Sequence, residues 1–593
     1  MELKARQEMD PEFLWDLSHI FSDTPAWEKA FEDSLASLPS LEALSGTLKQ
    51  SAEALKSALD LYFKEAEKFD KIYTYAMLRK AADGGDTEAQ SMMARATSLY
   101  GRFASATAFI TPELISLEEA RLNDFLATGL LNNYRHFIED TTRSRIHTLD
   151  AKGERMLAML SDTRSSFRNT YDALTDVDME YPQIHDAQGK LQPLSSSSFS
   201  VFRESPVRRV REEAFENWLG QYGKFINTFA ELYSGSVKFD CYFSEVRGFD
   251  GAVHSAMFVD NAPLSVYKSL IEAVHRSLPA MKKYLDLRKK AMGLEELDLF
   301  DLYTPMVADI DYPMPYEKAC ELVKKALLPL GEEYQKLLDR AFSEKWIDVY
   351  ENKGKQSGAF SCGVHGVHPY IKLNYAGKLD DAFTLAHELG HAMHSWFSSK
   401  EQDYANHDYR IMVAEVASTC NEVLLTRYLL SLEKDPKRRA YLLNHFLEGF
   451  RTTVFRQTLF AEFELKVHQM CQEGTPLTAQ SLSAAYKELL KLYYEGAAIP
   501  DVMKYEWSYI PHFYSAFYVY KYATGFSSAV AIANNILETG NPASYLKFLS
   551  LGGSDYPVNE LKTAGIDLCN PDTVASALSI FEETIAELEQ LLA

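Results

Sequence analysis

Cysteine is scarce in this chain. Six residues in 593, at 241, 320, 362, 420, 471 and 569, include no Cys-x-x-Cys pair. That count and spacing suggest neither a disulfide framework nor a thiolate zinc site, and they fit a reducing compartment. Basic charge is also in deficit: 61 Lys and Arg stand against 84 Asp and Glu, a net charge of −23. Such a balance disfavours nucleic acid and anionic membranes as partners, since both require counterion release onto a basic surface. Long hydrophobic runs are missing too. The longest uncharged stretch, residues 522–537, carries Thr, Ser and two Asn and falls short of the roughly 20 apolar residues a bilayer crossing needs. Residues 1–15 mix acids and bases without the apolar core of a secretory signal. A cytoplasmic protein with no membrane association is expected. No Gly-x-x-x-x-Gly-Lys-Ser/Thr or strand-linked Gly-x-Gly-x-x-Gly motif occurs, so nucleotide chemistry is unsupported.

What is present is mostly helical period. Apolar residues make up 46% and charged residues 24%, proportions of a chain that folds, and its length is too great for one core. From Leu41, the positions Leu44, Leu48, Leu55, Leu59 and Tyr62 form one stripe, which predicts a helix. Three interruptions break the pattern. Residues 177–200, with Pro182, the turn Asp186-Ala187-Gln188-Gly189 and the run Ser195 to Ser198, predict a hairpin, a linker and a domain junction. The expected division is 1–190, a helical amino-terminal domain, and 200–593, a catalytic domain. Residues 297–315 are rich in Asp, Tyr and Pro. Residues 354–377 hold five glycines and the alternating segment 370–375, the best strand candidate in the chain.

Chemistry-bearing residues follow that strand. Asp380 and Asp381 are candidate N-caps for a helix running to about Ser398, and inside it lies His387-Glu388-Leu389-Gly390-His391. Imidazoles at i and i+4 share a helical face, where both can bind one tetrahedral ion at roughly 2.0–2.1 Å. Glu388 is rotated about 100° from His387, which suits a general base rather than a ligand. Two histidines leave a mononuclear hydrolytic site one ligand short. The Gly and His that a metzincin requires after His391 are replaced by His394 and Phe397, so a carboxylate is expected instead. Glu415, 24 positions beyond His391 in an apolar helical stretch, is the expected third ligand. Glu422, seven positions further on the same face, can accept from a ligand histidine. His394, Cys362 and Cys420 read as packing residues.

These motifs, with Gly358-Ala359-Phe360-Ser361, Pro369-Tyr370, and Pro511-His512-Phe513-Tyr514 running to Ala523-Thr524-Gly525, resemble the oligoendopeptidase F group of the thimet oligopeptidase family of zinc peptidases. The likeness spans nearly the whole chain, from Leu14-Trp15-Asp16-Leu17. It implies a mainly α fold, a helical clamshell of zincin type with a small sheet beside the active-site helix. It also implies one Zn²⁺ per chain held by His387, His391 and Glu415, with Glu388 as base. The substrates implied are short unstructured peptides. Amide hydrolysis builds charge on the carbonyl oxygen, and the resemblance puts a His and a later Tyr near the carboxyl end as donors to it. His512 is one. Tyr514, Tyr518, Tyr520 and Tyr522 are all candidates for the other, and counting back from Ala523-Thr524-Gly525 favours Tyr520. The segment 370–375 is expected to be an edge strand pairing with substrate backbone. The expected activity is internal cleavage of oligopeptides; the alternatives are a dipeptidyl carboxypeptidase and a catalytically inert helical peptide-binding protein.

Overall fold

The computed structural model describes residues 3–307 and 312–592. Helix accounts for 71% and strand for 3%, so periodicity read the mainly α class correctly. Contacts divide the chain into two compact units, each assembled from separated stretches: Met1–Ile146, Asp311–Tyr428 and Ile532–Ile566 in the first, His147–Ile310, Leu429–Ala531 and Asp567–Ala593 in the second.

In the first unit, the helix Ala52–Ala82 packs against Thr24–Glu42 and Thr87–Thr107 through a core of Trp27, Phe31, Phe69, Ile72, Met92 and Phe103. The apolar stripe from Leu41 does not form one helix. Gly46 takes φ +82°, and Ser51 caps a new helix by accepting from the Ala54 N–H at 3.2 Å, so Leu44 and Leu48 lie in the intervening turns.

The unit's sheet has strands β3 (Ile347–Asp348), β4 (Phe360–Cys362) and β5 (Tyr370–Lys372), in the order β3-β5-β4. β5 is parallel to β3 and antiparallel to β4, with Phe360 opposite Lys372 and Cys362 opposite Tyr370. The segment expected at a sheet edge therefore fills its centre. Alternation of side chains sets which faces a strand presents but is silent on how many neighbours it has. The edge of β4 away from β5 is left without a strand partner among the described residues.

In the second unit, β1 (Gln183–His185) and β2 (Leu191–Pro193) form the expected antiparallel hairpin around Gly189, at φ +79°. The serine run beyond it is helix, Ser196–Phe202, rather than linker. Ser195 and Ser198 cap it reciprocally, at 3.2 Å and 2.8 Å. Residues 297–315 contain the 3₁₀ turn Leu299–Tyr303; residues 308–311 of that interruption lie outside the described residues.

Candidate metal centre

The site stands on two helices of the first unit, Leu379–Glu401 and Ile411–Leu432. The first begins one residue before the expected caps. Lys378 is its N-cap, and Asp381 reaches back to accept the Lys378 N–H at 2.8 Å and the Ala376 N–H at 3.1 Å. Close approach of the two helices rests on Gly390. A Cβ at that position would lie 2.5 Å from Ser418 Cα and 2.6 Å from the Ala417 carbonyl oxygen, so any larger residue would push the helices apart. Asn421, buried in the seam, donates to the Ala386 carbonyl at 3.0 Å and accepts from the Tyr334 hydroxyl at 3.0 Å. This fastens the second helix to the turn that bears His387.

That contact brings three ligand atoms together. His387 Nε2 lies 3.2 Å from His391 Nε2, and each lies 3.4 Å from Glu415 Oε2. Four ligands at roughly 2.0–2.1 Å in a tetrahedron have edges of about 3.3–3.4 Å, so the triangle has the size of one face of a zinc tetrahedron. Among the described residues this is the one group of three or more His, Cys, Asp or Glu so arranged. Glu422 Oε1 receives the Nδ1 side of His387, which fixes that ring with Nε2 toward the triangle. Ser418 Oγ donates to Glu415 Oε2 at 2.9 Å.

The electrostatics match a cation's seat. Burial works against charge on His387, yet Glu422, Glu415 and Glu388 together push its pKa up to about 9. Burial likewise opposes ionisation of Glu415, but His391, His387 and Ser418 hold its carboxyl down to about 2. Three carboxylates thus surround two imidazoles and favour added positive charge. Glu388 is 6% exposed, and its Oε2 has no hydrogen-bond partner. Burial raises its pKa, the direction that strengthens a carboxylate as a base.

His394 is buried and stacks on Tyr409 at 3.7 Å and 2°, where burial drives its pKa to about 3. Cys362 and Cys420 are unpaired thiols that burial pushes up to about 12, the values of unreactive thiols.

His512 and Tyr520 belong to the second unit. His512 is on the surface, with the Tyr522 ring 6.1 Å away and Tyr518 against Tyr522 at 5.4 Å. Tyr520 does not join them. It is 1% exposed, packs on Tyr267 at 5.1 Å, and leaves its hydroxyl unpartnered. The helix Tyr520–Thr539 starts at that residue, and two residues on a helix turn about 200°, so Tyr520 faces the core and Tyr522 the side of His512. Tyr522 was among the tyrosine candidates but was not the one favoured; Gly390 and Asn421 are the residues whose part sequence reasoning passed over. Of these, a glycine inside a strongly helical pattern was a readable sign of close packing.

A helical site with two histidines and a distant glutamate is the arrangement of a metallopeptidase, and sequence comparison places it in a family. The profile of peptidase family M3 matches residues 201–580, and an oligopeptidase F profile matches residues 113–181. The chain belongs to peptidase family M3. It is 42% identical to oligopeptidase PepF of Bacillus subtilis, over all of this chain and 89% of that one. Group B oligopeptidase PepB of Streptococcus agalactiae is 37% identical, covering 99% of this chain and 98% of its own. Among solved structures, oligoendopeptidase-F from Enterococcus faecium superposes with a TM-score of 0.73 at 35% identity, over 95% of this chain and 98% of that one. A candidate peptidase from Chlamydophila abortus gives 0.95 at 32% identity, over the whole of both chains. No helix among the described residues is long and apolar enough to cross a membrane.

Proposed function

We propose that the chain is a zinc endopeptidase cleaving internal bonds of short, unstructured oligopeptides in the cytoplasm. Family M3 membership makes it a peptidase, and its relatives bear the names of oligopeptidases. The observation that carries zinc dependence is the triangle of His387, His391 and Glu415, with edges of 3.2, 3.4 and 3.4 Å. These three side chains would hold the ion, which when bound supplies Lewis acidity that polarises a carbonyl and makes water acidic near neutral pH.

The protein's own groups do the rest. Glu388, buried beside the ligands with a free carboxylate oxygen, takes the proton of the attacking water and returns it to the departing amine. The open edge of β4 offers backbone N–H and C=O groups to an extended peptide, a mode of binding indifferent to side chains. This is the part assigned above to residues 370–375, moved to the strand that has a free edge. His512 is proposed as a donor to the carbonyl oxygen. Burial of Tyr520 moves the tyrosine donor to Tyr522, whose ring accompanies His512. The division at 190–200 is retained as a proposal about sequence modules, with profile matches ending at 181 and resuming at 201.

Metal analysis with cleavage of an internally quenched peptide tests this reading. Glu388→Gln is expected to keep one zinc per chain and lose about 10³-fold or more in kcat. His512→Ala is expected to lose about 10²-fold in kcat with zinc retained. A fragment ladder from a carboxyl-blocked peptide should show internal cuts. Full activity of Glu388→Gln, or fragments shortened only from the carboxyl end, would overturn it.

A further inference from the structure

Lys372 is a charge in the interior with an unusual set of partners. The residue is fully buried on the central strand β5, and its ammonium donates to three successive carbonyl oxygens: Gln356, Ser357 at 3.0 Å and Gly358 at 3.0 Å. An ammonium has three donors, so all three are spent on one loop. Asn374, two residues beyond Lys372 and just past the end of β5, donates from Nδ2 to two of the same oxygens, Gln356 at 3.0 Å and Gly358 at 2.9 Å. Gly358 takes φ +73° to present its carbonyl this way. The loop is also tied from outside, by Gln356 N–H to the Ala81 carbonyl at 2.9 Å.

Burying an ammonium is expensive unless it is fully hydrogen-bonded. Burial pushes this one's pKa down to about 8. With every donor satisfied that cost is offset, and the three bonds serve either the loop's own stability or the placement of a neighbouring element. The position of Lys372 indicates which. Residues 356–358 lead directly into β4, and Phe360, the first residue of β4, pairs with Lys372 itself; the ammonium sits 5.3 Å above the Phe360 ring. At its other end β4 runs into Gly363, where a Cβ would lie 2.8 Å from Ser395 Cβ on the histidine helix. The strand is thus pinned at one end by the helix that bears the metal ligands and at the other by Lys372.

We propose that Lys372, assisted by Asn374, is a positioning residue for peptide binding: by gathering the 356–358 carbonyls it fixes the free edge of β4 at the height and register at which substrate backbone pairs with it. The inference rests on the reading of β4 as the substrate strand. A clamp of this kind acts on long peptides, which run along the strand, and spares short ones, which meet only the reacting groups.

The test is Lys372→Met, close in shape but unable to donate, assayed with a long internally quenched peptide, its analogues N-methylated one backbone position at a time, and a short blocked peptide. Zinc content and thermal melting are measured alongside. KM for the long peptide should rise about 10-fold with kcat within about 3-fold, and the short peptide should change less than about 3-fold. Penalties from N-methylation, present in the parent enzyme, should largely vanish. Asn374→Ala, half-buried and removing only two bonds, should shift the long-peptide KM the same way by about 3-fold, which keeps the question answerable if Lys372→Met fails to fold. An unchanged KM and an unchanged N-methylation pattern in these variants would overturn the clamp. N-methylation without effect on the parent enzyme would instead overturn the assignment of β4 as the substrate strand.

Discussion

Glu422 illustrates how much of the candidate site rests on single groups. It touches no position the metal would occupy, yet it fixes the His387 ring through Nδ1. Glu422→Ala is expected to weaken zinc binding by about 10- to 100-fold in chelator competition, with Glu422→Gln in between because an acceptor remains. Glu560 is a residue of another kind, a buried acid whose Oε1 has no partner. Burial raises its pKa to about 8, far above that of an exposed glutamate. The unfolded chain therefore binds fewer protons than the folded one between about pH 4.5 and 8, and stability falls as pH rises through that window. Glu560→Gln should melt like the parent near pH 4.5 and gain on the order of 3 kcal/mol by pH 8, read from denaturant unfolding at the two pH values. The proposed metal ligands stand out in the sequence as a candidate set because i,i+4 spacing and an acid in an apolar helix have only a few physical explanations. The inward orientation of Tyr520 does not, because orientation near a helix start depends on the phase of the first turn. That phase is set by Phe517, a non-glycine residue at φ +57° held by the buried Glu464 carboxyl accepting its N–H at 3.0 Å. Nothing in the composition of residues 511–525 announces a left-handed phenylalanine.

Between elements, the decisive contact is the seam of Leu379–Glu401 against Ile411–Leu432. Hydrophobic period gave both helices and the order in which they come, but not the distance between them, which depends on the missing Cβ of Gly390. Gly390→Ala would meet backbone at 2.5 and 2.6 Å, and backbone cannot turn aside as a flexible side chain can. The helices must separate, carrying Glu415 away from the imidazoles. A loss of about 1–3 kcal/mol in unfolding free energy is expected, together with a zinc affinity reduced by more than the stability loss explains, since the ligand triangle opens. Equal activity and zinc content in this variant would show that the seam does not set the triangle. The same limit on sequence reading explains the strand. β3 has two residues, too few for alternation to register, so the parallel partner that makes β5 central was invisible and an edge was the default inference.

For the molecule as a whole, the sequence suggests a cut near residue 190, while the compact units are built from stretches far apart in the chain. The sheet beside the candidate metal centre shows what the amino-terminal residues contribute. Val349 N–H donates to the Phe13 carbonyl at 3.0 Å, Asp16 N–H to the Lys345 carbonyl at 3.0 Å, and Lys353 N–H to the Lys4 carbonyl at 2.8 Å. Arg6 pairs with the buried Asp348. Trp15, Leu78 and Ala82 form one apolar cluster with Val364 and with Tyr370 of β5. A fragment of residues 200–593 retains every proposed ligand and the whole peptidase profile match, so reading along the sequence alone would grant it a working site. Physically it loses one face of the cluster over Tyr370, leaves Asp348 without Arg6, and exposes the backbone that residues 4–16 cover. Each loss falls on the layer supporting β5 and β4. Expressed alone, the fragment is expected to lack a single cooperative thermal transition and to bind zinc far below one equivalent. The experiment is calorimetry with metal analysis on the fragment and on the full chain. A fragment that melts cooperatively with one zinc would mean that β4, β5 and the histidine helix are held from within 200–593, and that the amino-terminal contacts only decorate them.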